Sequence, residues 1–142
     1  GRVFAGALAL GRGRAAFDAA LAHVGTREQF GAPLAAKQAV RMTVADMATR
    51  LHAVRHLVYS AAETLGSGGD YDTEASIAKL VASETATWVS ERGLHLHGAQ
   101  GFMLESPAQR FYRDCKVNEW GEGANELQRE MIFEATAKGY RP

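Results

Sequence analysis

The 142-residue sequence has one cysteine (Cys115), three prolines and no excess of either charge. A single thiol excludes an internal disulfide framework and a cysteine-rich zinc site, and it fits a reducing, cytoplasmic setting. Sixteen basic and sixteen acidic side chains cancel. That balance argues against a nucleic-acid or membrane-surface partner, since both are usually met by basic patches. No apolar run approaches the roughly 20 residues of a membrane-spanning helix. The chain opens Gly1-Arg2-Val3 without an initiator Met or a signal-like segment, as expected of a processed subunit or a piece of something longer. Val, Ile and Thr never alternate with polar residues over a strand length, so a sheet is not expected.

What is present points to helices. Hydrophobic residues make up 46% of the chain, enough for one domain with its own core. Alanine, the best helix former, is abundant between the sparse prolines. A first helix is predicted from about Val3 to Arg27, with Leu8, Ala15, Ala19 and Ala22 on its apolar side and Leu10, Phe17, Leu21 and Val24 close by. Gly6, Gly11 and Gly13 weaken it but permit close approach by a neighbouring helix or ligand. The second helix has the clearest pattern. Val40, Val44, Met47, Leu51, Val54, Val58, Ala61 and Leu65 alternate in steps of four and three, and Gly66 to Asp70 end it. A third helix is predicted from Asp72 or Thr73 to about Leu96, carrying Ile77, Leu80, Val81, Trp88 and Val89. An irregular stretch follows from His97 to Pro107, then a short helical turn over Ala108 to Lys116. A last helix spans about Asn125 to Lys138, with Leu127, Met131, Ile132 and Ala135 inward. Asn125 and Gln128 form a variant capping box at its start. Four helices with short connections predict an all-α, antiparallel, up-and-down four-helix bundle.

Several local patterns admit two readings. Arg27-Glu-Gln-Phe-Gly31 and His97-Gly-Ala-Gln-Gly101 are glycine-rich breaks. Their exposed N–H groups and an arginine suit phosphate, or they are simply glycine-capped turns. No predicted strand precedes them, so neither is a Walker loop or a dinucleotide fingerprint. Glu122, in Trp120-Gly-Glu-Gly-Ala-Asn125, is either a general base aimed by its flanking glycines or a solvent-exposed acid favoured by the helix dipole. His52 and His56 share a helix face, and His95 and His97 form a second close pair. No HExxH or Glu-x-x-His pattern accompanies them, so hydrogen-bonded or surface histidines account for them better than a metal. Cys115, near Arg113 and Lys116 but without a placed histidine, reads as inert.

Taken in order, these segments resemble the C-terminal helical domain of the acyl-CoA dehydrogenase family. The carrying residues are Arg27-Glu-Gln-Phe-Gly31 with Pro33-Leu34 and Gln38, then Val44-Ala-Asp-Met47, Ala75-Ser-Ile-Ala-Lys79, Gly98-Ala-Gln-Gly-Phe102, Arg113-Asp114 and Glu122-Gly-Ala-Asn-Glu-Leu-Gln128. Six ordered matches are far more specific than any one. The resemblance covers essentially the whole chain. It implies that residues 1–142 are a single C-terminal domain, without the N-terminal helical and middle β-domains of the family, and inactive alone.

The resemblance implies an FAD enzyme of fatty acid metabolism that oxidises an acyl-CoA thioester to the trans-2-enoyl thioester. A glutamate takes the α-proton while the β-hydrogen leaves as hydride to the flavin. Glu122 matches the base of the commonest subgroup. Relatives with the base on the first helix carry a small residue at that position, whereas this chain has Arg2-Val3-Phe4-Ala5 there. A carboxylate of ordinary pKa ~4.3 needs desolvation for this task, and the enolate needs hydrogen bonds. By resemblance, Gly123 lines the acyl site and Arg2 lies close to the carboxylate. Arg27 meets the FAD pyrophosphate with Gln29 and Phe30 beside it, and Gln38 lies near the adenosine. His95, Gly98 and Ala99 contact FAD bound mainly by another subunit, while Asn125 and Glu126 approach the flavin on the base's own side. Implied partners are an acyl-CoA, an electron acceptor such as an electron-transferring flavoprotein, and further subunits in a homodimer, homotetramer or mixed assembly. Departures are His95 for glutamine, Ala99 for glycine, Ala124 for threonine and Gly121 for tyrosine. They suggest an unusual acyl group or a weakened flavin contact. The rival readings are a non-catalytic scaffold of the same fold and a flavin oxidase.

Overall fold

The computed structural model describes residues 1–141. Helix α1 spans Arg2–Thr26, α2 Gln38–Gly66, α3 Asp72–His97, α4 Ala99–Phe102, α5 Pro107–Lys116 and α6 Asn125–Ala137. Strands β1 (Glu28–Gln29) and β2 (Ala32–Pro33) pair as a small antiparallel hairpin between α1 and α2. This ladder is the one departure from the all-helical expectation. It forms because Phe30 and Gly31 both take positive φ, 55° and 77°, as a type I′ turn requires.

The direction of each helix follows from its neighbours. A Cβ on Gly6 would lie 3.5 Å from Val58 on α2, and one on Gly13 3.2 Å from Leu51, so α2 runs antiparallel to α1. The same two glycines face Ala78 and Ala86 of α3, so α3 runs parallel to α1. The fourth column is broken into two helices, both antiparallel to α3. In α5, Ala108 lies near Gly93 and His97, while Cys115 lies by Ser90. In α6, Asn125 bonds Ser83 and Met131 reaches Ser76. The up-and-down bundle is therefore as expected, with residues 117–124 forming the break in its last column.

The core differs from expectation on α1, α3 and α6. The buried stripe of α1 is Ala5, Gly6, Ala9, Gly13, Ala16, Ala20 and Val24. Leu8, expected on the apolar side, is 40% exposed, and Leu21, expected close by it, is 48% exposed. The α3 core is likewise small, with Ala75, Ser76, Ala78, Ala82, Ser83 and Ala86 buried. Small side chains let α1 and α3, diagonal in the column order, pack directly against each other. Larger residues would hold them apart. On α2 the expected seam holds through Met47, Leu51, Val54, Val58 and Ala61. On α6, Leu127 is exposed, and Asn125 and Gln128 are buried instead. The capping box does not form, because the cap falls on Ala124 and the Asn125 amide turns into the core. No helix among the described residues is long and apolar enough to cross a membrane.

Candidate functional site

The residues singled out from the sequence fall into two clusters rather than one. At the end where α1 and α3 begin are Arg2, Glu122, Gly123, Asn125 and Glu126. At the other end are Arg27, Gln29, Phe30, Gln38, His95, Gly98 and Ala99. Twenty-six helical steps along α1 separate Gly1 from Arg27, about 39 Å. A single pocket built from both sets within one chain is thus excluded by helix length alone.

Glu122 sits in the break between α5 and α6 at φ 56°, followed by Gly123 at φ 91°. A non-glycine residue held in the left-handed region costs about 1–2 kcal/mol, so the surrounding structure must impose it. The bend turns the carboxylate toward the start of α1: a Cβ on Gly1 would collide with Glu122 Oε2. The side chain is exposed, and no described residue covers it. The desolvation expected for a base is therefore not supplied by this chain. Gly123 is needed twice over, for its φ and because a Cβ there would meet Gln128 Nε2 at 2.8 Å. Its carbonyl accepts from Lys79 Nζ at 2.7 Å and from Gln128 Nε2 at 3.1 Å.

Arg2 shares this end, but its guanidinium is engaged. It donates to Asp72 Oδ1 at 2.6 Å and to Ser76 Oγ at 2.7 Å, tying α1 to α3. Asn125 turns its side chain inward, with Oδ1 accepting from Lys79 and Ser83. Its Nδ2, like Gln128 Oε1, is buried without a partner among the described residues. Only Glu126 of that pair presents a side chain outward. In the break itself, Glu119 is held below its usual carboxylate range. Burial opposes ionisation there, but the hydrogen bond from Lys116 and the charges of Lys116 and Lys79 outweigh it.

At the opposite end, Phe30 at the hairpin tip is 95% exposed. Arg27 is exposed with no ion pair or side-chain hydrogen bond among the described residues. Gln29 and Gln38 are exposed as well. Gly98 ends α3 at φ 59°, with open space where a Cβ would stand, so backbone shape rather than crowding requires glycine. Ala99 and His95 are exposed beside it. His23 stacks on His97 at 4.2 Å between ring centroids, joining the ends of α1 and α3. His97 Nδ1 donates to Gly93 O at 2.7 Å. Burial, then the charges of His97 and Arg27, hold His23 below the usual histidine range.

The remaining sequence candidates lie elsewhere. His52 and His56 are exposed on α2 with their Nε2 atoms 3.2 Å apart. Among the described residues no three metal-ligating side chains gather. Cys115 is buried and burial pushes its thiol up, away from thiolate reactivity. Lys79, to which sequence reasoning assigned no functional role, is 1% exposed beneath the Glu122 bend. The signal was its place in the stripe Ala75, Ser76, Ala78, Ala82, Ser83, all buried.

Comparison with known proteins accords with this architecture. The acyl-CoA dehydrogenase C-terminal domain model matches residues 1–137. The short-chain specific acyl-CoA dehydrogenase of Bos taurus is 38% identical over 141 residues, 99% of this chain and 34% of that protein. An acyl-CoA dehydrogenase of Bacillus subtilis is 42% identical over 132 residues, 93% of this chain and 35% of that protein. The butyryl-CoA dehydrogenase structure from Megasphaera elsdenii superposes with TM-score 0.95 at 36% identity, covering 96% of this chain and 36% of that chain. The chain thus spans about a third of the length of the relatives it matches. With the ordered motifs, the broken fourth column and a family match running almost end to end, the chain belongs to the acyl-CoA dehydrogenase family, as its C-terminal helical domain.

Proposed function

We propose that this domain supplies the catalytic base, Glu122, and part of an FAD site to an acyl-CoA dehydrogenase acting on an acyl-CoA thioester. The observation that carries the reading is the bend at Glu122. A carboxylate is held in a costly left-handed conformation, next to a glycine, and turned toward the start of α1. In this role Glu122 removes the α-proton of the bound thioester. Its own N–H, which makes no backbone hydrogen bond among the described residues, is available to the developing enolate oxygen. Substrate and the segments outside this domain would exclude water from the carboxylate, leaving it free of competing hydration when it meets the α-proton.

The residues present fit FAD at both ends. Beside Gly123, the exposed Glu126 carboxylate faces outward, while Asn125 Nδ2 and Gln128 Oε1 are buried behind it without partners among the described residues. At the other end stand an exposed Arg27, without an ion pair among the described residues, and the exposed Phe30 ring at the hairpin tip, suited to pyrophosphate and to stacking. Bound FAD supplies a hydride acceptor for the β-hydrogen. The separation of the clusters supports two different FAD sites per chain. One lies on the base's own side, and the other is shared with a neighbouring subunit through Arg27, Gln29, Phe30, Gln38, His95, Gly98 and Ala99. An electron-transferring flavoprotein is the class of acceptor that would reoxidise the enzyme.

The test is Glu122→Gln in the intact enzyme. The expected loss in kcat is ~10²-fold or more, with FAD content unchanged. A loss below about threefold removes Glu122 from the role. The scaffold reading draws on the apolar exposure of Phe30, Phe102 and Leu104, which subunit packing alone could cover. It expects a colourless assembly that cannot be loaded with FAD.

A further inference from the structure

Lys79 is the largest fully buried side chain among the described residues, at 1% exposed. Its ammonium donates to Glu119 O at 3.1 Å, Gly123 O at 2.7 Å and Asn125 Oδ1 at 2.8 Å. Three donors meet three neutral acceptors, so the ammonium is saturated without a carboxylate. The nearest acid, Glu119, spends its carboxylate on Lys116 at 2.7 Å. Burying a cation on neutral partners is costly, and burial pulls this ammonium below the usual lysine range, with Glu119, Glu126 and Glu84 opposing from the break, α6 and α3 respectively. The cost calls for a return, and the acceptors identify it. Two of them are the carbonyls on either side of residues 120–122.

We propose that Lys79 is a positioning residue for the Glu122 carboxylate: its ammonium spans the bend and holds both ends of it against α3. The proposal rests on Glu122 being the base. The two anchors are unequal. Gly123 O has a second donor in Gln128, and Asn125 Oδ1 a second donor in Ser83. For Glu119 O, Lys79 is the side-chain donor among the described residues. Loss of the ammonium therefore frees the Trp120 side of the bend first and lets Glu122 leave its left-handed conformation. Lys79 touches no reacting atom; it acts through the backbone that carries Glu122.

The experiment uses the intact FAD-loaded enzyme with butyryl-CoA, unlabelled and deuterated at C2, as the probe. Variants are Lys79→Met, Lys79→Gln and a core control, Val54→Ala, remote from the bend. Lys79→Met should lower kcat roughly tenfold or more, leave KM within about threefold, and raise the deuterium isotope effect on kcat, because proton removal becomes the slow step. Lys79→Gln, which keeps an N–H donor, should recover part of the rate. Should Lys79→Met not fold, a reduced kcat with a raised isotope effect in Lys79→Gln supports the proposal. Val54→Ala should lower the melting temperature and move neither kcat nor the isotope effect. Wild-type kcat and isotope effect in the Lys79 variants overturn the proposal, as does a rate loss at constant isotope effect. If Glu122→Gln is inactive while the Lys79 variants are normal, the base stands and the clamp falls. An active Glu122→Gln removes both.

Discussion

Glu122 and Phe30 are the non-glycine residues with positive φ among the described residues, and each marks one of the two clusters. Strain of this kind gathers where geometry serves a ligand. Glu122 was legible in the sequence because glycines flank it. Lys79 was not, because a lysine in a helix pattern reads as a solvated face until the small residues around it are known to be buried. His23 carries a prediction of its own. Its folded pKa lies below the ordinary 6.5, so the unfolded chain binds the proton more readily. Its contribution to stability is complete above that value and is lost as pH falls through the lowered folded pKa. The drop in melting temperature between pH 7.5 and 5.5 should therefore be smaller in His23→Phe than in the wild type. An equal or larger drop would assign the acid sensitivity to other groups.

Among the elements, α2 was readable and α1 was not, for one physical reason. The α2 seam is built from Val, Leu and Met, whose spacing stands out against polar neighbours. The α1 stripe is built from Ala and Gly, which recur on every face, so the side carrying Leu8, Ala15, Ala19 and Ala22 was taken for the core face in place of the true one. The close α1–α3 contact that selects small residues is a tertiary fact. It makes the α1 glycines unequal. A Cβ on Gly13 lies 3.2 Å from Ala86 Cα, while Gly11 faces open space. Gly13→Leu should destabilise by about 1–3 kcal/mol or more through overpacking. Gly11→Ala should stabilise by about 0.5–1 kcal/mol through helix propensity. Urea titration of both variants checks the pair, and equal effects would contradict this packing. The α5–α6 break was legible from Gly121 and Gly123, but Asn125 as a buried ligand of Lys79 was not, since the capping-box pattern offered it a local partner.

For the whole molecule, the sequence motifs identified the family and the bundle but not the separation of the candidate site into two ends. That separation is a consequence of helix length and appears only when the chain directions are known. It predicts how the intact enzyme assembles its sites. Arg27→Ala should weaken FAD retention without loss of helicity, read by flavin content and circular dichroism. Co-expressed Arg27→Ala and Glu122→Gln chains should regain activity, because a mixed dimer contains one site with both native residues. Unchanged flavin content in Arg27→Ala, or no recovery on mixing, would contradict a site shared between chains.

The most direct measurement is the reductive half-reaction of the intact Glu122→Gln enzyme, mixed anaerobically with butyryl-CoA while flavin bleaching is followed. A carboxylate that takes the α-proton predicts bleaching slowed ~10²-fold or more at full flavin content. Bleaching at the wild-type rate would contradict it.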